Sequence, residues 1–355
     1  FQLITGDTSI NGSGRTQIYL AFAADGSTAT PSLANSFATE LYTGNGGTQS
    51  VTTGFAPDFT WIKDRVGTDN HHLFDSIRGV EMRIISNLTD AQNLQTNSLT
   101  SFNTLGFSLG SNSGVNASGE NHVSWNWKAG GTPSINTDGT ITSLVSANQA
   151  AGFSIVQWST STTLATVGHG LSSAPELIIG KGINWSSSWP VYALPIGNTK
   201  KMSLNDTSIP STSTIWGNTT PTATTFNQDF TGTAGRTNIA YCFTSISGYS
   251  KVGSYTGNGS STGPIVTTGF EPAFVLIKAT TNDNGGGTWL IYDSARSTSN
   301  PRNKRLYPDL TLAEQSNSAY DLDFLSTGFQ PKNGTSYYGF NTNNVEYIYL
   351  AIKEN

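Results

Sequence analysis

The sequence predicts an all-β chain: tandem β-sandwich or jelly-roll-like modules of about 110 residues in the order A–B–A, with at most one short helix in each A module. Three observations predict it. Apolar runs are short, rich in Val, Ile, Phe, Tyr and Trp, and punctuated by Gly, Asn, Ser, Thr and Pro, the signature of strands and turns rather than helices. One pattern recurs four times, as GRTQIYLAFA at 14–23, GENHVSWNWK at 119–128, GRTNIAYCFT at 235–244 and VEYIYLAIK at 345–353. Those copies stand a domain apart, much further than the repeats of a solenoid.

Each module opens on a hairpin. YTGNG at 42–46 and again at 255–259 ends a strand and turns. A Gly-Phe-x-Pro turn follows at Gly54–Pro57 and Gly269–Pro272, with a looser form, Gly170-Leu171 then Ala174-Pro175, in the middle module. The turn launches a strand that ends in lysine: FTWIK to Lys63, LIIGK to Lys181, FVLIK to Lys278. The next run is LFDS at 73–76, WPVY at 189–192 and WLIYDS at 289–294, with Trp189 set beside Trp289 and Leu73 and expected in the core. The outer modules share Asp-Ser-x-Arg, at 75–78 and 293–296, and an ungapped match of RIISNLTDAQ at 83–92 to RLYPDLTLAE at 305–314. Thr89-x-x-Gln92 and Thr311-x-x-Glu314 fit a capping box, so a short helix is expected at each. The closing strand of the last module, IYLAI at 348–352, is apolar on both faces, as for a strand between two layers.

These landmarks divide the chain into the end of a preceding module (1–23), a linker (24–39), module A1 (40–131), module B (132–248) and module A2 (249–355). Phe1 falls where a module is nearly finished, so the chain is expected to be the C-terminal portion of a longer polypeptide. Polar, small-residue linkers predict beads on a string with modest interfaces.

Composition narrows the function. Only 12% of residues are charged, 38 are glycine, and the formal net charge is −5. No Lys/Arg run provides a phosphate footprint, so nucleic acid is not an expected partner. No apolar stretch of about 18 residues is present, so membrane insertion is not expected. One cysteine, Cys242, forms no intrachain disulfide framework.

No metal, cofactor or catalytic set is expected. His71, His72, His122 and His169 lack zinc-ligand spacing. Asp138 and Asp283 lie in Asx/Gly turns without the alternation of a calcium loop. Ser76 and Ser294 recur in Asp-Ser-x-Arg, but module A2 has no histidine to act as base, so the motif reads as a turn capped by Asp. Asp321 and Asp323 alternate with Leu322 and Phe324, as on one solvated strand face rather than in a glycosidase pair. Carbohydrate binding fits best: sugar rings stack on aromatics, and amides and hydroxyls pair with sugar hydroxyls. Trp185, Trp216, Tyr337 and Tyr338 are the candidates, because Trp185 and the two tyrosines occupy loops with no counterpart in the other modules.

The series YTGNG, Gly-Phe-x-Pro, a strand ending in Ile-Lys, WLIYDSAR, FLSTGFQP and a closing YIYLA resembles a repeated module of virion proteins of marine tailed phages, often found with LamG-like jelly-roll regions. The resemblance covers nearly the whole chain. It implies a virion appendage, a tail fibre or similar, exposed on the particle and contributing to host attachment. The implied partners are further copies of the chain, as in a trimer, other virion proteins, and a host-surface glycan or receptor. It implies no catalytic residue. Two alternatives stand beside it: a capsid decoration or head-fibre protein, and a polysaccharide depolymerase.

Overall fold

A computed structural model describes residues 33–228, 234–281, 287–332 and 340–354. The end of a preceding module at 1–23 lies outside the described residues, as do Tyr337, Tyr338 and Asp283. The rest is all-β, arranged as antiparallel sheets.

Among the described residues each repeat contributes one large and one small sheet, and the last adds a two-stranded pair, Lys304–Arg305 with Gln315–Ser316. In the first, the large sheet runs in the order Phe37–Thr43, Asn121–Trp127, Phe59–Asp64, His72–Asp75, Met82–Ile85, Asn93–Leu94. In the last, the corresponding order is Ser250–Thr256, Glu346–Ile352, Phe274–Ala279, Leu290–Asp293. The middle repeat keeps that arrangement around Phe153–Ser159, Thr237–Phe243, Leu177–Gly182 and Pro190–Ala193, and adds Ser134–Asn136 and Ser143–Asn148 at one edge. Registers coincide: Trp127 lies opposite Phe59, Phe243 opposite Leu177, and Ile352 opposite Phe274. Among the described residues the first strand starts at Phe37, inside the span read as linker.

Alternation along the central strands explains why they are apolar throughout. Ile348, Leu350 and Ile352 enter one core, whereas Tyr347, Tyr349 and Ala351 enter another. Ile239, Tyr241 and Phe243 are divided in the same way from Ala240 and Cys242. The second core of each repeat is its own, closed by the small sheet. The first core is shared. Trp61, Trp125 and Trp127 from the first repeat meet Phe153, Ile179 and Tyr241 from the second and Phe274, Leu276 and Leu350 from the third in one cluster. The three repeats therefore form one body around a common centre, in a pseudo-threefold arrangement, and not beads on a string. The linkers are polar as expected, but the strands they join carry a second apolar face that has to be buried.

Polar contacts across the seams repeat with the same pseudo-symmetry. The Trp189 indole donates to the carbonyls of Ile85 and Leu88 (both 3.0 Å), and Trp289 donates to that of Ser203 (2.8 Å). The strand registers place His71, not Leu73, at the position of these tryptophans, two residues earlier than the sequence comparison had it. His71 faces the Tyr307 backbone, and burial holds its imidazole well below the usual pKa. Its Nδ1 accepts from Trp61 Nε1, which puts the ring proton on Nε2.

The capping-box helices do not form. Residues 88–92 and 311–314 are extended straps across neighbouring repeats. Gln92 N donates to Ile183 O, and Glu314 N donates to Arg65 O. Backbone donors that a helix would have used internally close the seams instead. The α-helix among the described residues is the single turn Ser113–Asn116, capped by Asn112.

Candidate functional site

The middle repeat departs from the shared scaffold within its large sheet. Its strand Leu177–Gly182 carries Gly180 and Gly182 on the face turned to that repeat's own core, the face of Ile178. The first repeat has Ile62 and Asp64 there, and the last has Ile277 and Ala279. The missing side chains make room. A Cβ at Gly180 would lie 2.3 Å from Nε2 of Gln228, and one at Gly182 would lie 2.4 Å from the Trp185 indole. Two glycines thus seat an amide and an aromatic ring directly on the sheet.

Around them, the structure gathers a small polar group. The Arg236 guanidinium sits 4.1 Å from the centre of the Trp185 ring, well within cation–π range. Trp185 Nε1 donates to Asn238 Oδ1 at 3.3 Å. Arg236 and Thr160 are locked together by backbone: Thr160 N donates to Arg236 O at 2.8 Å, and Arg236 N donates to Thr160 Oγ1 at 3.2 Å. Beside Thr160, a recess of about 10 Å³ is lined by Ser161, Thr163, Trp158 and Gln228. Gln228 is only 5% exposed, and among the described residues neither its Oε1 nor its Nε2 has a hydrogen-bond partner. A buried amide left in that condition is costly, by roughly 1–3 kcal/mol, unless water or a ligand group fills the recess.

The sequence candidates fare differently. Trp185 belongs to this group, half-buried, with Arg236 over its ring. Trp216 is 1% exposed and packs edge-on against Tyr192 in the core of the middle repeat, so it offers no surface platform. Its loop is polar, but the indole fills the space beneath the sheet. Tyr337 and Tyr338 lie outside the described residues. Trp189 is a core residue, as expected.

Arg236 and Gln228 escaped the sequence reading. Arg236 stands in GRTN, which repeats GRTQ at 14–17, and repetition marked it as scaffold. In the other described repeats the position holds Glu120 and Val345, and that difference was the available signal. Gln228 is placed by tertiary packing alone and left no local mark.

Elsewhere, side-chain clusters serve structure. Asp75 and Asp293 cap turns: their Oδ1 atoms accept from the backbone N–H of Arg78 (2.9 Å) and Arg296 (2.7 Å). Their Oδ2 atoms pair with the same arginines at 2.5 Å, as the turn reading of Asp-Ser-x-Arg expects. Ser76 and Ser294 thus belong to capped turns. Asp64, Asp69 and Glu120 bring carboxylates within 4.8 Å of one another. Asp64 already accepts from the N–H groups of Val66 and Gly67, at 2.8 and 2.7 Å. The charge of Asp64 pushes the Glu120 carboxyl up, so these acids are set against one another.

No curated protein matches the chain. The family model described as a domain of unknown function, DUF7483, matches residues 32–355, and the chain belongs to that family.

Proposed function

We propose that this chain is a structural appendage of a phage virion, a tail fibre or similar, that contributes to host attachment through loop contacts with surface glycans. One observation carries the binding half of this reading. The middle repeat gives up two side chains of its sheet to seat Gln228 and, under Arg236, Trp185, an arrangement that the described residues of the other repeats do not show. Scaffold needs alone call for no such exception. A surface poor in charge and rich in hydroxyls and amides suits repeated weak contacts with sugar hydroxyls, and display of many copies on a particle would multiply them. The resemblance of the strand and turn motifs to phage appendage modules supports the location.

Two measurements test the reading. Immunogold imaging of virions with antibody to this chain is expected to label the tail or its fibres; label spread over the capsid would point to a decoration protein instead. Incubation with host polysaccharide is expected to give retention without new reducing ends; their appearance would mark a depolymerase.

A further inference from the structure

We propose that Arg236, held over Trp185, is the anchor of a site for carboxylated sugars such as uronates. This inference rests on the glycan-attachment reading above and names the class of glycan.

Arg65 pairs with Glu314, Arg78 with Asp75, and Arg296 with Asp293 and Glu314, while Arg83, Arg302 and Arg305, which have no ion pair among the described residues, donate respectively to Asn93 Oδ1, to Ser297 O, and to Tyr307 Oη and Gln315 Oε1. Arg236 differs. Among the described residues no acidic group pairs with it, and its guanidinium donates no hydrogen bond there. It is nonetheless fixed, by the ring of Trp185 under it and by two backbone hydrogen bonds to Thr160 on its own main chain. A fixed guanidinium with no acidic partner among the described residues offers parallel N–H donors that match a carboxylate bidentately.

The surroundings suit a sugar acid better than a bare ion. The recess beside Thr160 holds the unsatisfied Gln228 amide and has room for roughly one water-sized group, so the amide can accept from or donate to a single hydroxyl that reaches in. Ser161 and Thr163 add hydroxyls at its rim. A ring carrying both a carboxylate and vicinal hydroxyls meets both halves of the site. Trp185 then acts by supporting the guanidinium, a different role from a stacking platform for the sugar.

The test uses the full chain and a panel of polymers: polygalacturonate, alginate and hyaluronate as carboxylated probes, methyl-esterified polygalacturonate and dextran as neutral ones, and dextran sulfate. Binding is read by biolayer interferometry at low and moderate salt. At least one carboxylated polymer is expected to bind ten-fold or more tighter than its neutral counterpart, weakening as salt rises. Arg236→Gln should remove that preference, and Arg236→Lys should retain only part of it, because lysine keeps the charge and loses the fork. Unchanged melting temperatures show that both variants fold. Equal binding to esterified and free polygalacturonate, unaffected by Arg236→Gln, overturns the carboxylate site and leaves glycan attachment standing. Arg236-dependent binding to dextran sulfate alone overturns it in favour of a sulfated ligand. Binding to no polymer sinks both the site and the attachment reading.

Discussion

The indole N–H of Trp125 donates to the Asp293 carboxylate at 3.0 Å, across 168 residues of chain and the seam between the first and last repeats. The Tyr241 hydroxyl makes the equivalent bond to Asp75 Oδ2 at 2.7 Å, across the seam between the middle and first repeats. At each, an aromatic donor from one repeat completes a buried Asp–Arg pair of the next. At the third seam the same positions hold Leu350 and Ala193, with Ile196 in place of the arginine, and all three pack in or against the shared core. Donor, acceptor and counter-charge have been replaced together. That is the economical solution, because apolar replacement of a whole buried network is close to neutral whereas removal of one member is not.

Asp293→Ala is therefore expected to destabilise the chain by about 3–5 kcal/mol, since it leaves Arg296 buried without its nearest counter-charge. Trp125→Leu/Asp293→Ala/Arg296→Ile copies the third seam and is expected to recover a substantial part of that loss. Urea denaturation of the wild type, the single variant and the triple variant checks both. A triple variant less stable than Asp293→Ala would show that the network, and not the unpaired charge, dominates.

The shared core sets how the chain unfolds. Module B alone, residues 132–248, would expose Phe153, Ile155, Ile179 and Tyr241, which the neighbouring repeats now cover. It is expected to be aggregated or to bind a hydrophobic dye, and the full chain to unfold in one transition. Calorimetry of the full chain and dye binding by the isolated module measure this. Three separate transitions would restore the picture of independent beads.

How much of this was legible depended on the range of the interaction. The strands and their turns follow from local patterning, and Lys63, Lys181 and Lys278 do mark equivalent strand ends. The dual burial of IYLAI was readable as well. Its second face, however, gave no hint that the covering layer was another repeat. The Thr89 and Thr311 capping boxes are sound local signals that lost to acceptors on other repeats, the carbonyls of Ile183 and Arg65. The candidate site failed at Trp216 for the same reason, since burial is decided by packing that no loop composition encodes.

Two acids at the seam between the first and last repeats make stability depend on pH. Burial, and then the charge of Glu354, push the Glu40 carboxyl from its ordinary 4.5 up to about 7. Burial also raises Glu354, whose Oε1 accepts from Thr39 N at 2.9 Å. The folded chain holds these protons more tightly than the unfolded one. The contribution of Glu40 is fully present below the unfolded pKa of about 4.5 and is lost as pH rises through about 7, and Glu354 acts in the same direction. Denaturation midpoints measured from pH 4 to 8 are expected to fall across that window from this source, and Glu40→Gln should flatten the fall. An identical slope in the variant would remove Glu40 as its cause.

Cys242 offers an internal reporter of the same unfolding. It is fully buried beneath the sheet of the middle repeat, and burial pushes its thiol far up, away from the reactive thiolate. It is expected to resist a thiol reagent such as DTNB in the native chain and to react as the chain opens. Its neighbour Tyr241 on the same strand enters the shared core, so exposing Cys242 means lifting that strand out of both cores. The midpoint of its labelling in urea should therefore coincide with that of tryptophan fluorescence. Labelling at markedly lower urea would show that the middle repeat opens ahead of the other two.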